Sequence, residues 1–338
     1  VNLLELERIE TNIFRGASRD IGSPQVFGGQ VLGQALSAAQ HTVEGRVAHS
    51  LHAYFLRRGD INAPIIYEVE RARDGGSFSA RRVVAIQHGR PILNLAASFQ
   101  AAEDGIDHQV EMPDVPPPDG LRDFKHLATD MLDKMPVKLG RFMTDQRPFD
   151  FRPVEPDNLF SAKELPPVKN IWIRAVDALA DELALHQNIL AYVSDFELLA
   201  TATLPHAISL TQGNVLMASI DHALWFHRPF RVDDWLLYSM ESPTATGVRG
   251  FSRGHFFTAD GRLVASVSQE GLVRIVDAAD RKRSDPRTQA GTAFRARTGP
   301  ASPEGVRRFA RSAAPRRQSF PFPRRSVHER CGQGHRAA

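Results

Sequence analysis

The chain carries one pattern twice. Residues 50–100 (SLHAYFLRRGD…SFSARRVVAIQHGRPILNLAASFQ) and 219–269 (SIDHALWFHRPF…FSRGHFFTADGRLVASVSQ) run through the same features in the same order, offset by about 170 residues. A His-Ala-aromatic segment with a basic cluster comes first (His52 to Arg58, His222 to Arg228), then a Phe-Ser strand start (Phe78-Ser79, Phe251-Ser252). A Gly-Arg turn follows (Gly89-Arg90, Gly261-Arg262), and a strand ending in Gln closes each copy (Gln100, Gln269). Two such copies predict a fused pseudo-dimer. Residues shared by both copies should serve architecture, and chemistry should sit where the copies differ.

Each copy reads as one helix followed by an antiparallel meander. Gly28-Gly29-Gln30 opens a helix in which Val31, Leu32, Ala35, Leu36 and Ala39 recur at helical spacing. Small residues around that stripe (Gly33, Ala35, Ser37, Ala38, Ala39) allow a close approach to neighbouring backbone. Alternating runs at 52–56, 65–71, 79–87 and 91–100 predict strands, separated by Gly-containing turns. The second copy resumes with a strand at 171–174 and a helix from Asp181 to about Leu204, with Leu185, Ile189, Val193, Phe196 and Leu199 or Ala200 as its apolar stripe. Strands are then expected at 215–225, 235–241, 250–258 and 262–269, the last continuing to Val276, with a hairpin at Asp260-Gly261. A meander with one apolar face needs cover, and the helix of each copy is its candidate. The boundaries follow: a first unit at 1–105, a Pro-rich linker at 106–150 with a short helix near 121–132, a second unit at 151–276, and a tail at 277–338.

The 338 residues, 42% of them hydrophobic and 24% charged, are enough for a sizeable core. No apolar run approaches the roughly 18–20 residues that cross a bilayer, and the opening segment lacks the pattern of a secretory signal. A cytoplasmic protein is expected, in agreement with one cysteine, Cys331. Nothing resembles a Cys/His metal cluster, and no cofactor is implied. The tail holds 15 Lys and Arg against 5 Asp and Glu, a net +10, so the whole chain's +3 leaves about −7 for residues 1–276. Rich in Arg, Pro, Ser and Gly, the tail is expected to be disordered. Nucleic-acid contact by it is the weaker reading beside a solvated extension.

Where the copies diverge, three polar residues of the second copy are candidates for chemistry. Asp195 falls well inside the apolar helix; it is a solvent-facing position, a cap at a helix break, or a functional carboxylate. Ser219 begins the strand SIDHALWF, where a lone serine is ordinarily filler. Gln269 falls where its strand should be buried, and a buried amide needs partners. Ser219 lacks the G-x-S-x-G strand-turn-helix setting of a serine hydrolase. Asp221 and His222, adjacent on a strand, point to opposite faces.

From Tyr192 to Arg274, the segments SDFELL, SIDHALWFHRPFRVDDWLLYSMESP and RGFSRGHFFTADGRLVASVSQEGLVR resemble the acyl-CoA thioesterase II family, which has an α+β double hotdog fold. The first half resembles it through VFGGQVLGQAL, HSLHAYFLRRGD, PIIYEVERARDGGSFSARRV and ASFQ. The resemblance covers residues 1–276. It implies that Asp195, Ser219 and Gln269 hold one water near the thioester carbonyl of a fatty acyl-CoA, and that no covalent acyl-enzyme forms. A positioned water with one carboxylate taking its proton suits an electrophilic thioester. Backbone N–H groups at Gly28-Gly29-Gln30 could meet the developing negative charge. Arg57 and Arg58 lead the candidates for the coenzyme A phosphates, with Arg81, Arg82, Arg228, Arg249 and Arg253 behind them. The resemblance also implies assembly into a homo-oligomer. A non-catalytic acyl-CoA-binding or regulatory hotdog protein is the alternative. A hotdog hydratase would want an Asp/His pair that His41 and His49 do not make.

Overall fold

In the computed structural model, which describes residues 2–21, 25–130, 132–134, 148–156, 163–208 and 215–276, the two copies share one sheet. The first contains β1 (Glu7–Glu10), β2 (Ile13–Gly16), α1 (Gly28–Gln40), β3 (Val47–Phe55), β4 (Ile65–Asp74), β5 (Phe78–Gln87) and β6 (Arg90–Gln100). After α2 (Phe124–Thr129) and a 3₁₀ turn at Leu132–Lys134, the second contains β7 (Phe149–Pro153), β8 (Val168–Ala175), α3 (Leu183–Val193) and a 3₁₀ segment at Leu199–His206. It ends with β9 (Val215–Ser219), β10 (Asp221–Phe226), β11 (Leu236–Thr246), β12 (Arg249–Thr258) and β13 (Leu263–Ile275).

Every pairing in the sheet is antiparallel, in the order β1-β2-β4-β5-β6-β3-β10-β13-β12-β11-β8-β7, with β9 added to β13. The order on one side of the β3–β10 contact is repeated, reversed, on the other: β4-β5-β6-β3 faces β10-β13-β12-β11. Each half lays one helix on its sheet, which is the expected double hotdog. Short strands at 7–10, 13–16 and 149–153 escaped the sequence reading because four or five residues show too little alternation.

The β3–β10 register corrects one pairing drawn from the repeat. His222 lies opposite Ala53, and Ala223 opposite His52. Residues opposite one another share a face, so the two histidines lie on opposite faces: His222 is 1% exposed, whereas His52 is exposed. The closing glutamines differ in the same way. Gln269 pairs with Ser252 and is fully buried, while the residue paired with Ser79 in the first copy is Phe99, and Gln100 pairs with Phe78. A shift of one residue moves a side chain to the other face of a strand.

The core lies between the helices and the sheet. Leu32, Ala35, Leu36, Ala38 and Ala39 of α1 are fully buried, with Leu190 and Ala191 of α3. Two glycines let α1 and α3 touch: a β-carbon on Gly33 would lie 2.8 Å from the Asn188 carbonyl, and one on Gly29 would run into the Tyr192 carbonyl. The predicted long helix is in fact α3 plus the 3₁₀ segment, with a break after Val193. Glu197 takes φ 64°, which no α-helix admits. Residues of the linker cross the outer face of the second half, where Met112, Val115 and Leu121 pack on Trp172, Leu237, Phe257 and Leu263. Trp172 Nε1 donates to the Pro116 carbonyl at 2.8 Å there. The short linker helix is α2, capped by Asp123 accepting from the His126 N–H at 2.7 Å. No helix among the described residues is long and apolar enough to cross a membrane. The tail with Cys331 and residues 135–147 of the linker lie outside the described residues.

Candidate active site

Asp195 does not sit inside a helix. It follows the C-terminus of α3, and its carboxylate reaches the start of α1 in the other copy, where the Gly29 N–H donates to it. Phe27, the residue before α1, offers no capping side chain, so a carboxylate from elsewhere in the chain satisfies an N–H of the first turn. Gly28 makes that approach feasible, because a β-carbon there would lie 2.6 Å from Asp195 Oδ2 and 3.0 Å from the Phe55 ring.

Strands bring the other two groups. β9 and β10 were expected to form one strand; they are separated at Ile220, and the register against β13 shifts by one residue between them, from Ser219↔Gly271 to Ala223↔Ser268. Such a bulge re-aims a side chain. Asp221 holds it by accepting from the Glu270 N–H at 2.7 Å. Gln269 Nε2 donates to Asp195 Oδ1 at 2.6 Å and lies 3.0 Å from Ser219 Oγ, which is 3.3 Å from Asp195 Oδ1. Carboxylate, hydroxyl and amide therefore form one cluster. Gln269 Oε1 and the Ser252 Oγ across the ladder from it are buried without a partner among the described residues.

Burial dominates the electrostatics. It pushes the Asp195 carboxyl up to about 6, against the lowering effect of the Gln269 amide, the Gly29 N–H and the Ser219 hydroxyl. A carboxyl held there instead of at 3.8 disfavours its ionised form by about 3 kcal/mol. It is still ionised at neutral pH, and it is a far better proton acceptor than a solvated aspartate.

Beside the cluster, a cleft of about 240 Å³ is lined by Gly28, Val26, Phe55, Ser219, Arg57 and Arg58, among others. Gly28, Ser219 and the two arginines named from the sequence thus meet in one place. Both arginines are exposed, and Arg57 also donates to the Pro91 carbonyl at 2.7 Å. Gln30 is not part of this site: its N–H goes to Phe27 O, and its buried side chain ties down Ala17 and Arg19. The remaining arginine candidates have structural partners. Arg81 is buried against Asp74 and Thr42, and Arg82, Arg228, Arg249 and Arg253 pair with Glu70, Asp107, Glu270 and Glu241. His41 bonds the Ser37 carbonyl and His49 the Ser98 hydroxyl.

A second cavity of about 370 Å³ is lined by Phe27, Phe149, Phe151, Tyr192, Val193 and Phe196 together with residues of the N-terminal segment. Its aromatic rings pack on one another, with Phe27 and Tyr192 at 5.2 Å and Phe151 and Phe196 at 4.5 Å between centroids. No sequence signal separated these aromatics from ordinary core residues.

Two family models match the chain. The model described as acyl-CoA thioesterase matches residues 139–272, and that of the acyl-CoA thioesterase N-terminal domain matches residues 16–100. The acyl-CoA thioesterase 2 of Haemophilus influenzae is 43% identical over 275 residues, 81% of this chain and 96% of that protein. The human acyl-coenzyme A thioesterase 8 is 41% identical, covering 81% of this chain and 88% of its own. Among solved structures, an acyl-CoA thioesterase II from Mycobacterium marinum superposes with a TM-score of 0.67 at 42% identity, over 82% of this chain and 97% of its own.

Proposed function

The chain belongs to the acyl-CoA thioesterase family, and on that premise we propose that it hydrolyses fatty acyl-CoA to free fatty acid and coenzyme A with a water positioned by Asp195, Ser219 and Gln269. The observation that carries this reading is the contact of one carboxylate with an amide and a hydroxyl at the glycine start of a helix, beside a cleft bearing two arginines.

The water sits between Ser219 and Gln269 and gives its proton to Asp195 as its oxygen attacks the thioester carbonyl carbon. Negative charge collects on the carbonyl oxygen, facing the N-terminal turn of α1, where N–H dipoles favour an anion. The C–S bond then breaks, the coenzyme A sulfur leaves and takes the proton from Asp195, and the carboxylate is restored. No side chain is acylated. Arg57 and Arg58 face the phosphates of coenzyme A, and the aromatic cavity around Phe27 and Tyr192 takes the acyl chain. The same reading makes residues 1–105 and 151–276 two hotdog units joined by 106–150, with the catalytic groups in the second. It places the enzyme in the cytoplasm and has it assemble as a homo-oligomer.

Purified protein with palmitoyl-CoA and a thiol reagent tests the proposal. Release of thiol that disappears in Asp195→Asn is the expected result. Tight binding without turnover would instead make the protein an acyl-CoA-binding module.

A further inference from the structure

We infer that Tyr238 is a positioning residue for this reaction: its hydroxyl holds the Ser194 carbonyl and thereby sets the direction in which the Asp195 carboxylate points. The inference rests on the reading of Asp195 as the base.

The chain must leave α3 immediately before Asp195. Were the helix to continue, the Ser194 carbonyl would accept an N–H four residues on. Tyr238 Oη donates to it instead, at 2.7 Å, so one end of the peptide bond that leads into Asp195 is fixed. The tyrosine ring is itself immobilised. It is 1% exposed, stacks on Phe256 at 4.0 Å between centroids, and fills the space beside Gly254, where a β-carbon would lie 2.8 Å from it.

Two further contacts close the clamp. Ser194 Oγ donates to the Ala191 carbonyl at 3.0 Å and lies 2.8 Å from His222 Nε2. A hydroxyl has one proton, so His222 donates from Nε2 and its partnerless Nδ1 is an acceptor. Burial holds His222 down at about 3, so it stays neutral and does not switch near neutral pH. On the other side of Asp195, Glu197 adopts φ 64°, and its carboxylate meets Lys169 Nζ at 2.6 Å in a site where the lysine side chain is 3% exposed. Asp195 is thus bracketed by a tethered residue before it and a strained, ion-paired residue after it. Among the described residues the first copy has no equivalent arrangement: its buried Tyr67, on β4, donates to the side chain of Gln34 at 2.6 Å. The clamp occurs in the copy that has the carboxylate.

Tyr238→Phe keeps the ring and removes the tether. Its kcat should fall about 10- to 100-fold with KM unchanged, the size expected when a catalytic group is slightly misaimed. The acid limb of its pH profile should move to higher pH, because Asp195 then loses the donors from Gln269, Ser219 and Gly29 that oppose burial. In an Asp195→Asn background the same change should cost little further activity, since the tyrosine acts through that carboxylate. A lower Tm with kcat and pH profile as in the parent would mean that the tyrosine is merely structural and would overturn the inference. So would a full additive loss in the double variant. If Tyr238→Phe does not fold, Glu197→Gln probes the other side of the turn, with the same kcat loss and shift expected; a parental profile there would overturn it too. An Asp195→Asn variant that stays active would remove the base, a separate failure from a parental Tyr238→Phe.

Discussion

A β-carbon on Gly28 would sit 2.6 Å from Oδ2 of Asp195, so the first residue of one copy's helix is shaped by a side chain from the other. Gly28→Ala should fold, because the obstacle is the end of a side chain and alanine is the better helix former. Its kcat should fall on the order of 10²-fold as the carboxylate is displaced. Gly29→Ala should fail differently, since its β-carbon would meet the Tyr192 backbone carbonyl and force α1 and α3 apart. Circular dichroism melting beside thiol-release assays separates the two. A Gly28→Ala enzyme with parental kcat would contradict the site geometry.

Asp195 must be ionised to accept a proton, and burial holds it at about 6. The value of kcat/KM should therefore be flat above about pH 7 and fall about tenfold per pH unit once below 6. Gln269→Glu would place a second carboxyl against Oδ1, where like charges share a proton, so the limb should move to higher pH. A limb left in place by Gln269→Glu would show that another group controls it.

The raised value also sets a sign for stability. The folded state binds the Asp195 proton more tightly than the unfolded chain, so the penalty is complete above about pH 6 and fades as pH falls toward 3.8. Asp195→Asn should therefore stabilise the fold at pH 8, by up to about 3 kcal/mol, and so raise Tm, and the gain should shrink toward pH 4. Calorimetry at the two pH values checks this, and a variant less stable than the parent at pH 8 contradicts it.

Ser219 contributes a hydroxyl 3.0 Å from the Gln269 amide. Ser219→Thr keeps that group on a strand that accepts β-branching and should retain most activity. Ser219→Ala should lose about tenfold or more in kcat, in line with one orienting hydrogen bond of about 1–2 kcal/mol. Equal rates for the two variants would remove the hydroxyl from the mechanism.

Arg57 and Arg58 line the cleft beside Ser219, and Arg57 donates to the Pro91 carbonyl. Replacing both with Glu should raise KM for palmitoyl-CoA at least tenfold and leave hydrolysis of a short N-acetylcysteamine thioester, which has no phosphates, nearly unchanged. The KM effect should weaken as salt is added. Parallel losses on both substrates would mean that the arginines shape the site and do not recognise phosphate.

Both the repeat and its boundaries in secondary structure are written locally. Alternation at 79–87 and 91–100 and the small-residue stripe of α1 are set by neighbours a few residues away, and β5, β6 and α1 follow them closely. The parity of the repeat was not legible, because a one-residue slip preserves the composition of a strand while reversing its faces. Hence the repeat aligns His52 with His222 and Gln100 with Gln269, although their burial differs.

By itself, the sequence determined that two helix-plus-meander units occur in tandem and that Asp195, Ser219 and Gln269 are polar where apolar neighbours predominate. Only the tertiary structure decided that they meet. After the break at Val193, the turn from Ser194 to Glu197 bonds Tyr238, His222 and Lys169, all distant in the chain. Once outside the helix, the Asp195 carboxylate can reach a vacant N–H at the head of α1 in the other copy. Local propensity carries no information about such a contact, since its energy comes from groups that only the folded chain brings together.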